Sequence, residues 1–208
     1  GGGINNFGKL SLLNCNVSQN LGEIGGGIIN LGELLIEDSH IRNNKAMFGA
    51  GLLNSGDLLM KDSYVSNNTA ELFGGGVANT QFSFSLEFND ALSGSIAEKI
   101  EPIKEINADI ALSQINDNTS RHIGGGLLSG GWIRIVSNIS AAGETKPTYE
   151  ILVDEKIDRL PRPAIITMNI DQTTLSANTS EIGGGIATVG ILNITASTLS
   201  GNRADFQG

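Results

Sequence analysis

Two acids and two arginines stand close together late in the chain, Asp154 and Asp158 beside Arg159 and Arg162. A carboxylate pair next to a guanidinium is a layout that can cleave a polysaccharide, one carboxyl acting as acid and the other as base or nucleophile. Asp90, Asp109, Glu155 and Arg134 add charge to the same region. Trp132 and Tyr149 offer a different chemistry, because an exposed aromatic ring stacks on a sugar or anchors a protein partner. Charged loop tips in water, and a ring covered by neighbouring chain, account for the same residues without any site. Asn14, Asp38 and Asp62 are evenly spaced along the chain. The carboxylates of Asp38 and Asp62, next to Asn14, could hold calcium through oxygen ligands or stand as solvated corner acids. His40 and His122 are too differently placed to share a metal. No serine, histidine and acid are brought together by any recognisable motif. The residues therefore assign no catalytic group, and no cofactor other than calcium at that corner.

What must position these residues is a repeat. Glycine-led starts fall at Gly1, Gly25, Gly49, Gly74, Gly124 and Gly183. A period of this length signals a stacked array. One asparagine column runs Asn20, Asn44, Asn68, Asn118, Asn178 and Asn202. A second runs Asn6, Asn30, Asn54 and Asn79, then passes to Ser129 and Thr188. A small-residue column (Cys15, Ser39, Ser63, Ser113, Thr173, Ser197) stands shortly before the first asparagine column in every unit. Between these columns the apolar residues alternate with period two, as in Leu34 and Ile36, which is the pattern of short half-buried strands. The extra residue at Asp38 or Asp62 breaks that phase and marks a corner. Asn-x-Gly steps such as Asn30-Leu31-Gly32 are expected to supply the positive φ of another.

Three short strands and three corners in about two dozen residues describe one coil of a parallel β-helix. The chain reads as an all-β solenoid, a single unit over residues 1–208 of about six coils of ~24 residues, and as a segment of a longer solenoid. Inward asparagines would form ladders from coil to coil. An apolar residue before each triplet (Ile24, Phe48, Phe73, Ile123, Ile182) is expected to enter the core. The short links after the asparagines, such as Asn44 to Phe48, are read as connections.

Two units are longer than the rest. A plain unit passes from triplet to ladder asparagine between Gly25 and Asn44. The same path runs from Gly74 to Asn118 in one unit and from Gly124 to Asn178 in the next, more than twice as far each time. The extra chain lies at about 86–108 and 137–165, between the first strand and the small-residue column. These units are consecutive, so the roots of both insertions are expected one above the other on one face. Trp132 follows Gly130-Gly131 and flanks Ile133 and Ile135, so it is expected to face outward beside the second root.

Composition narrows the partners. A net charge of −9 leaves no basic stripe for phosphate, which argues against nucleic acid. The lone Cys15 sits in the small inward column and forms no internal disulfide. No stretch approaches the roughly 20 apolar residues of a membrane-spanning helix.

The motif G-G-[AG]-[ILV], with x-x-N ahead of it as in Val65 to Ala70 before Gly74-Gly75-Gly76-Val77, resembles the repeats of bacterial polymorphic outer membrane proteins. It is equally similar to the arrays of large secreted β-helix proteins of the pectate-lyase-like class. The resemblance covers the six repeat units and fails in both insertions. It implies a right-handed parallel β-helix, exported and displayed at the cell surface, outer-membrane-associated or secreted, and often serving adhesion. On this reading the chain is a stalk or adhesin. Its insertions, with Trp132, Tyr149, Asp154, Asp158, Arg159 and Arg162, meet a host or matrix surface, glycan or protein. The alternative is a carbohydrate-active enzyme, a lyase or hydrolase, acting on the insertion face. End-to-end self-association into a larger surface structure is a further expectation.

Overall fold

The computed structural model describes residues 1–88, 105–139, 145–152 and 165–205. Among these residues there are strands and no helices, and the strands stack from coil to coil into four sheets. This is the parallel β-helix that the repeat predicts. The first sheet holds Ile4–Asn6, Ile28–Asn30, Leu52–Asn54, Val77–Phe88, Leu127–Ile139 and Ile186–Thr188. The second runs from Lys9–Leu13 through Glu33–Glu37, Asp57–Lys61, Glu105–Ala111 and Ile165–Asp171 to Ile191–Thr195. Three-residue strands such as His40–Arg42 and Tyr64–Ser66 make the third. Every pairing in the second, third and fourth sheets is parallel and in register, apart from a shift between Ala70 and Phe73.

Each coil thus carries four strand sectors, not three. The fourth sheet contains Lys45–Phe48 and Thr69–Phe73, which the sequence reading takes as links. Ala46 and Ala70 do alternate inward, but the glycine triplet follows so soon that the period has no room to show.

Inside the coils lie apolar columns from three of the sheets, the second sheet adding Leu34, Leu58, Ala108 and Met168 as a further column. Ile28, Leu52, Val77 and Leu127 come from the first sheet, Ile36, Met60, Ile110 and Ile170 from the second, and Ile41, Val65, Ile115 and Leu175 from the third. The residues before the triplets behave differently from expectation. Phe48 is buried with Ile29 and Leu53, and Ile24 and Phe73 pack on them, in a cluster separate from the central core. Ile29 and Leu53 alternate with the inward Ile28 and Leu52, so this second cluster covers the outer side of the first sheet.

Polar ladders complete the interior. Asn44 donates from Nδ2 to Asn68 Oδ1 at 3.0 Å, and its backbone N–H donates to the same oxygen at 3.0 Å. The pattern repeats from Asn20 to Asn202. Each Nδ2 from Asn44 onward also reaches a backbone carbonyl, as Asn118 does to Val65 O at 2.9 Å. In the small-residue column the N–H of Ser39 donates to Ser63 Oγ at 3.1 Å, and Ser63 donates to Lys61 O at 2.7 Å. Cys15 keeps the column's backbone bond, to Ser39 Oγ, and is half-buried.

Corners are closed by left-handed residues in three columns. Asn14, Asp38 and Asp62 have φ of 57°, 48° and 48°, and Asn43, Asn67 and Asp117 form a second such column. The third is the first glycine of each triplet, with φ 57° at Gly25. A Cβ is not tolerated in that conformation there. The Asn30-Leu31-Gly32 corner has no positive φ, contrary to expectation. Gly32 is required there for space, since a Cβ would lie 2.1 Å from Gly8 O of the preceding coil.

Asn118→Ala should expose the cost of interrupting a ladder. It removes four hydrogen bonds and leaves buried partners on both sides. A loss of about 3 kcal/mol is therefore expected in urea unfolding. Replacing the exposed Asn16 should leave the unfolding midpoint almost unchanged, as surface substitutions away from such networks do.

Candidate functional site

The two long units depart from the coil at the same corner, between the first and second sheets. Val77–Phe88 and Leu127–Ile139 run on past that corner side by side, paired in parallel from Val77 opposite Leu127 to Phe88 opposite Ile139. A bulge sets Gly130 and Gly131 against Thr80. Gly130 takes a left-handed φ there, open to glycine alone at no cost. Thr145–Leu152 then pairs antiparallel with Trp132–Ile139, Tyr149 opposite Ile135 and Leu152 opposite Trp132. The result is a three-stranded flap continuous with the first sheet. The insertion roots do lie one above the other.

The ladder asparagines bring the chain back into register. In plain coils Asn6 donates to Glu33 O and Asn30 to Asp57 O, the same place in the second strand of the next coil. After the first insertion Asn54 donates to Asn107 O at 3.1 Å, and after the second Asn79 donates to Thr167 O at 3.1 Å. Asn107 aligns with Asp57, and Thr167 with Asn107. Each returning strand is therefore held by an amide of the coil before it. The column then ends. Ser129 is too short to make this reach, and its buried Oγ has no partner among the described residues.

The pairing aligns the residues of the three flap strands in rows. Every second row is Phe82–Ile133–Ile151, Phe84–Ile135–Tyr149, Leu86–Ser137–Pro147 and Phe88–Ile139–Thr145. The rows between them are Gln81–Trp132–Leu152, Ser83–Arg134–Glu150, Ser85–Val136–Thr148 and Glu87–Asn138–Lys146. Trp132 and Tyr149 thus sit on neighbouring strands, with Tyr149 opposite Ile135. The bulge also moves Trp132 into the row of Gln81. Asp154, Asp158, Arg159 and Arg162 lie outside the described residues, as does Asp90. The catalytic alternative rests on that acid pair.

A groove on the outer face of the second sheet is a feature that sequence reasoning missed. It is open, with a volume of about 510 Å³, and spans five coils from Lys9 to Asn169. Its floor is formed by Leu35 and the half-exposed Leu59. Glu33, Asp57 and Asp109 supply the acids. Lys9 bonds Glu33 at 2.8 Å, and that carboxylate raises the lysine's pKa. Asn169 donates to Asp109 Oδ1 at 2.7 Å, and Asn193 donates to Asn169 Oδ1 at 2.8 Å. Amide donors, carboxylate acceptors and an apolar floor in one shallow trough match the needs of a hydroxyl-rich ligand. Because the outward columns mix Lys, Glu, Asp and Asn, no period betrays them in the sequence.

Elsewhere, Asp38 and Asp62 occupy neighbouring corners, Asp62 within 3.5 Å of Lys61 Nζ. Among the described residues no three metal-ligating side chains converge. The histidines are apart, as expected. His40 stacks on Tyr64 with ring centroids 4.8 Å apart on the third sheet, while His122 bonds Glu181 of the next coil at 2.7 Å.

Compared with known proteins, the chain matches no family model, no curated protein and no solved structure.

Restoring the interrupted column gives a direct check on strand capture. Ser129→Asn should accept from Asn79 and reach the next coil, raising stability by about 1 kcal/mol in urea unfolding. Asn79→Ala should lower it by about 3 kcal/mol.

Proposed function

We propose that this chain is a structural and adhesive module of an exported cell-surface β-helix protein. The coils act as a stiff rod, and recognition is concentrated at the flap and the groove beside its root. The observation that carries this reading is the merging of two insertions from successive coils into one sheet at one corner. A spacer needs no such addition, whereas a binding surface needs chain raised from the rod and fixed in place. Trp132 and Arg134 lie two residues apart on the central strand of the flap. Their chemistry suits stacking on, and hydrogen bonding to, a surface glycan or a protein of a host or matrix. Asp154, Asp158, Arg159 and Arg162 are assigned to the same contact region from the sequence. The resemblance of the triplet repeats to bacterial polymorphic outer membrane proteins supports the export and the surface location.

The test is a glycan array, with cell-surface binding alongside, comparing the intact chain with one lacking residues 141–164 and with Trp132→Ala. Binding by the intact chain should disappear with the deletion and weaken by about tenfold or more with Trp132→Ala, as an aromatic anchor would. Binding that survives both changes would move recognition away from the flap. No binding by any of the three would leave a spacer.

A further inference from the structure

One interior column carries the same hydrogen bond from coil to coil until it meets a shorter side chain. Asn6, Asn30 and Asn54 donate from Nδ2 to the next Oδ1 in the column at 2.7, 2.7 and 2.8 Å. Each also donates to a carbonyl of the second sheet one coil on, Glu33 O, Asp57 O and Asn107 O. Asn79 keeps the carbonyl bond, to Thr167 O at 3.1 Å, but the residue paired with it in the next coil is Ser129. Asn79 and Ser129 are both fully buried, and Ser129 Oγ has no partner among the described residues. The N–H groups of Val189 and Gly190 donate to Ser129 O, which sets a corner of the last coil over the same point. A hydroxyl shut away from solvent without a partner is costly, and native interiors seldom leave one so.

We propose that one buried water molecule takes the place of the missing carboxamide and bridges Asn79, Ser129 and the last coil. Serine lacks the outer atoms of an asparagine side chain, and the room they would fill is about that of one water. The partners are those a water needs. Its oxygen accepts the Nδ2–H of Asn79 that the asparagines before it give to an Oδ1. One of its hydrogens goes to Ser129 Oγ. The other goes to Ile191 O, since Ile191 pairs with Thr167 and its carbonyl stands in the last coil where Thr167 O stands in the coil before. Three hydrogen bonds are the usual complement of a buried water, and such waters are a fixed part of a structure. An apolar pocket would stay dry, whereas this one is lined by an amide, a hydroxyl and a carbonyl. Asn6, Asn30, Asn54 and Asn79 each hold a second-sheet strand of the next coil directly. In the last coil a solvent molecule relays that hold. The site belongs to the frame of the rod and stands whatever the flap or the groove binds.

The experiment has two arms, both on the whole 208-residue chain. In an isotope-labelled sample, water-selective NOE and ROE spectra should show a cross-peak between long-lived water and the side-chain amide protons of Asn79. Opposite signs in the two spectra separate contact from chemical exchange. Ser129→Asn should remove the cross-peak, because the carboxamide then fills the site. In urea unfolding, Ser129→Ala should lower the midpoint, since the water loses one of its partners. Loss of a hydroxyl bonded to nothing would leave the midpoint unchanged or raise it. A wild type without the cross-peak, or a cross-peak that persists in Ser129→Asn, would overturn the proposal. A midpoint for Ser129→Ala at or above that of the wild type would overturn it as well.

Discussion

A hydrogen bond between identical amides, repeated once per coil, is the constraint from which the rest of this structure follows. A buried asparagine side chain has two donors and an acceptor to satisfy, and an interior of isoleucine and leucine offers none. The only partners at the right height are the same residue one coil away and the backbone next to it. Nδ2 of Asn118 meets Oδ1 of Asn178 at 3.1 Å, and the N–H of Asn118 meets the same oxygen. Such a contact fixes rotation and rise together. A coil slipped by one residue would leave amides unpaired on both sides, costing more than the slip could gain elsewhere. The apolar columns supply most of the stabilisation, as in any core. It is the amides that make one register better than its neighbours.

The same interaction explains how a regular rod tolerates long additions. The insertions interrupt the path between the first and second sheets, yet Glu105–Ala111 and Ile165–Asp171 lie in register on each other and on Asp57–Lys61. Asn54 and Asn79 reach across to the returning strands as Asn6 and Asn30 do in plain coils. Loop-closure entropy grows only slowly with length. One well-placed capture point therefore offsets much of the cost of a long detour.

The fold is legible in the sequence because ladders demand identity. An asparagine that must meet an asparagine cannot drift in type, so the columns at Asn20 to Asn202 stand out even where insertions double the spacing. Features that need only a class of residue are harder to see. The fourth strand is short and abuts the glycine triplet, so Lys45–Phe48 looks like a link. Phe48 reads as core, but it belongs to a separate cluster on the outside of the first sheet, because burial alone does not tell one apolar cover from another. The irregularity just before Trp132 has no sequence signal of its own. The bulge at Gly130-Gly131 shifts the alternation by one, and glycine pairs in this chain more often mark triplets. The groove is invisible to any pattern, since the outer face of a solenoid is free to vary from coil to coil.

Three corners of each coil turn on the backbone's own left-handed residues, while the corner after Asn30 turns without one. A corner made from φ and ψ works only at fixed length. A corner closed by a side chain from the coil below is indifferent to how much chain passes between its two ends. Variation in such a rod therefore has one permissive address. New material can be tried there, enlarged or discarded, while the frame that carries it keeps its register. In that sense the solenoid separates inheritance of shape from experiment with surface, and the flap is where the experiment stands at present.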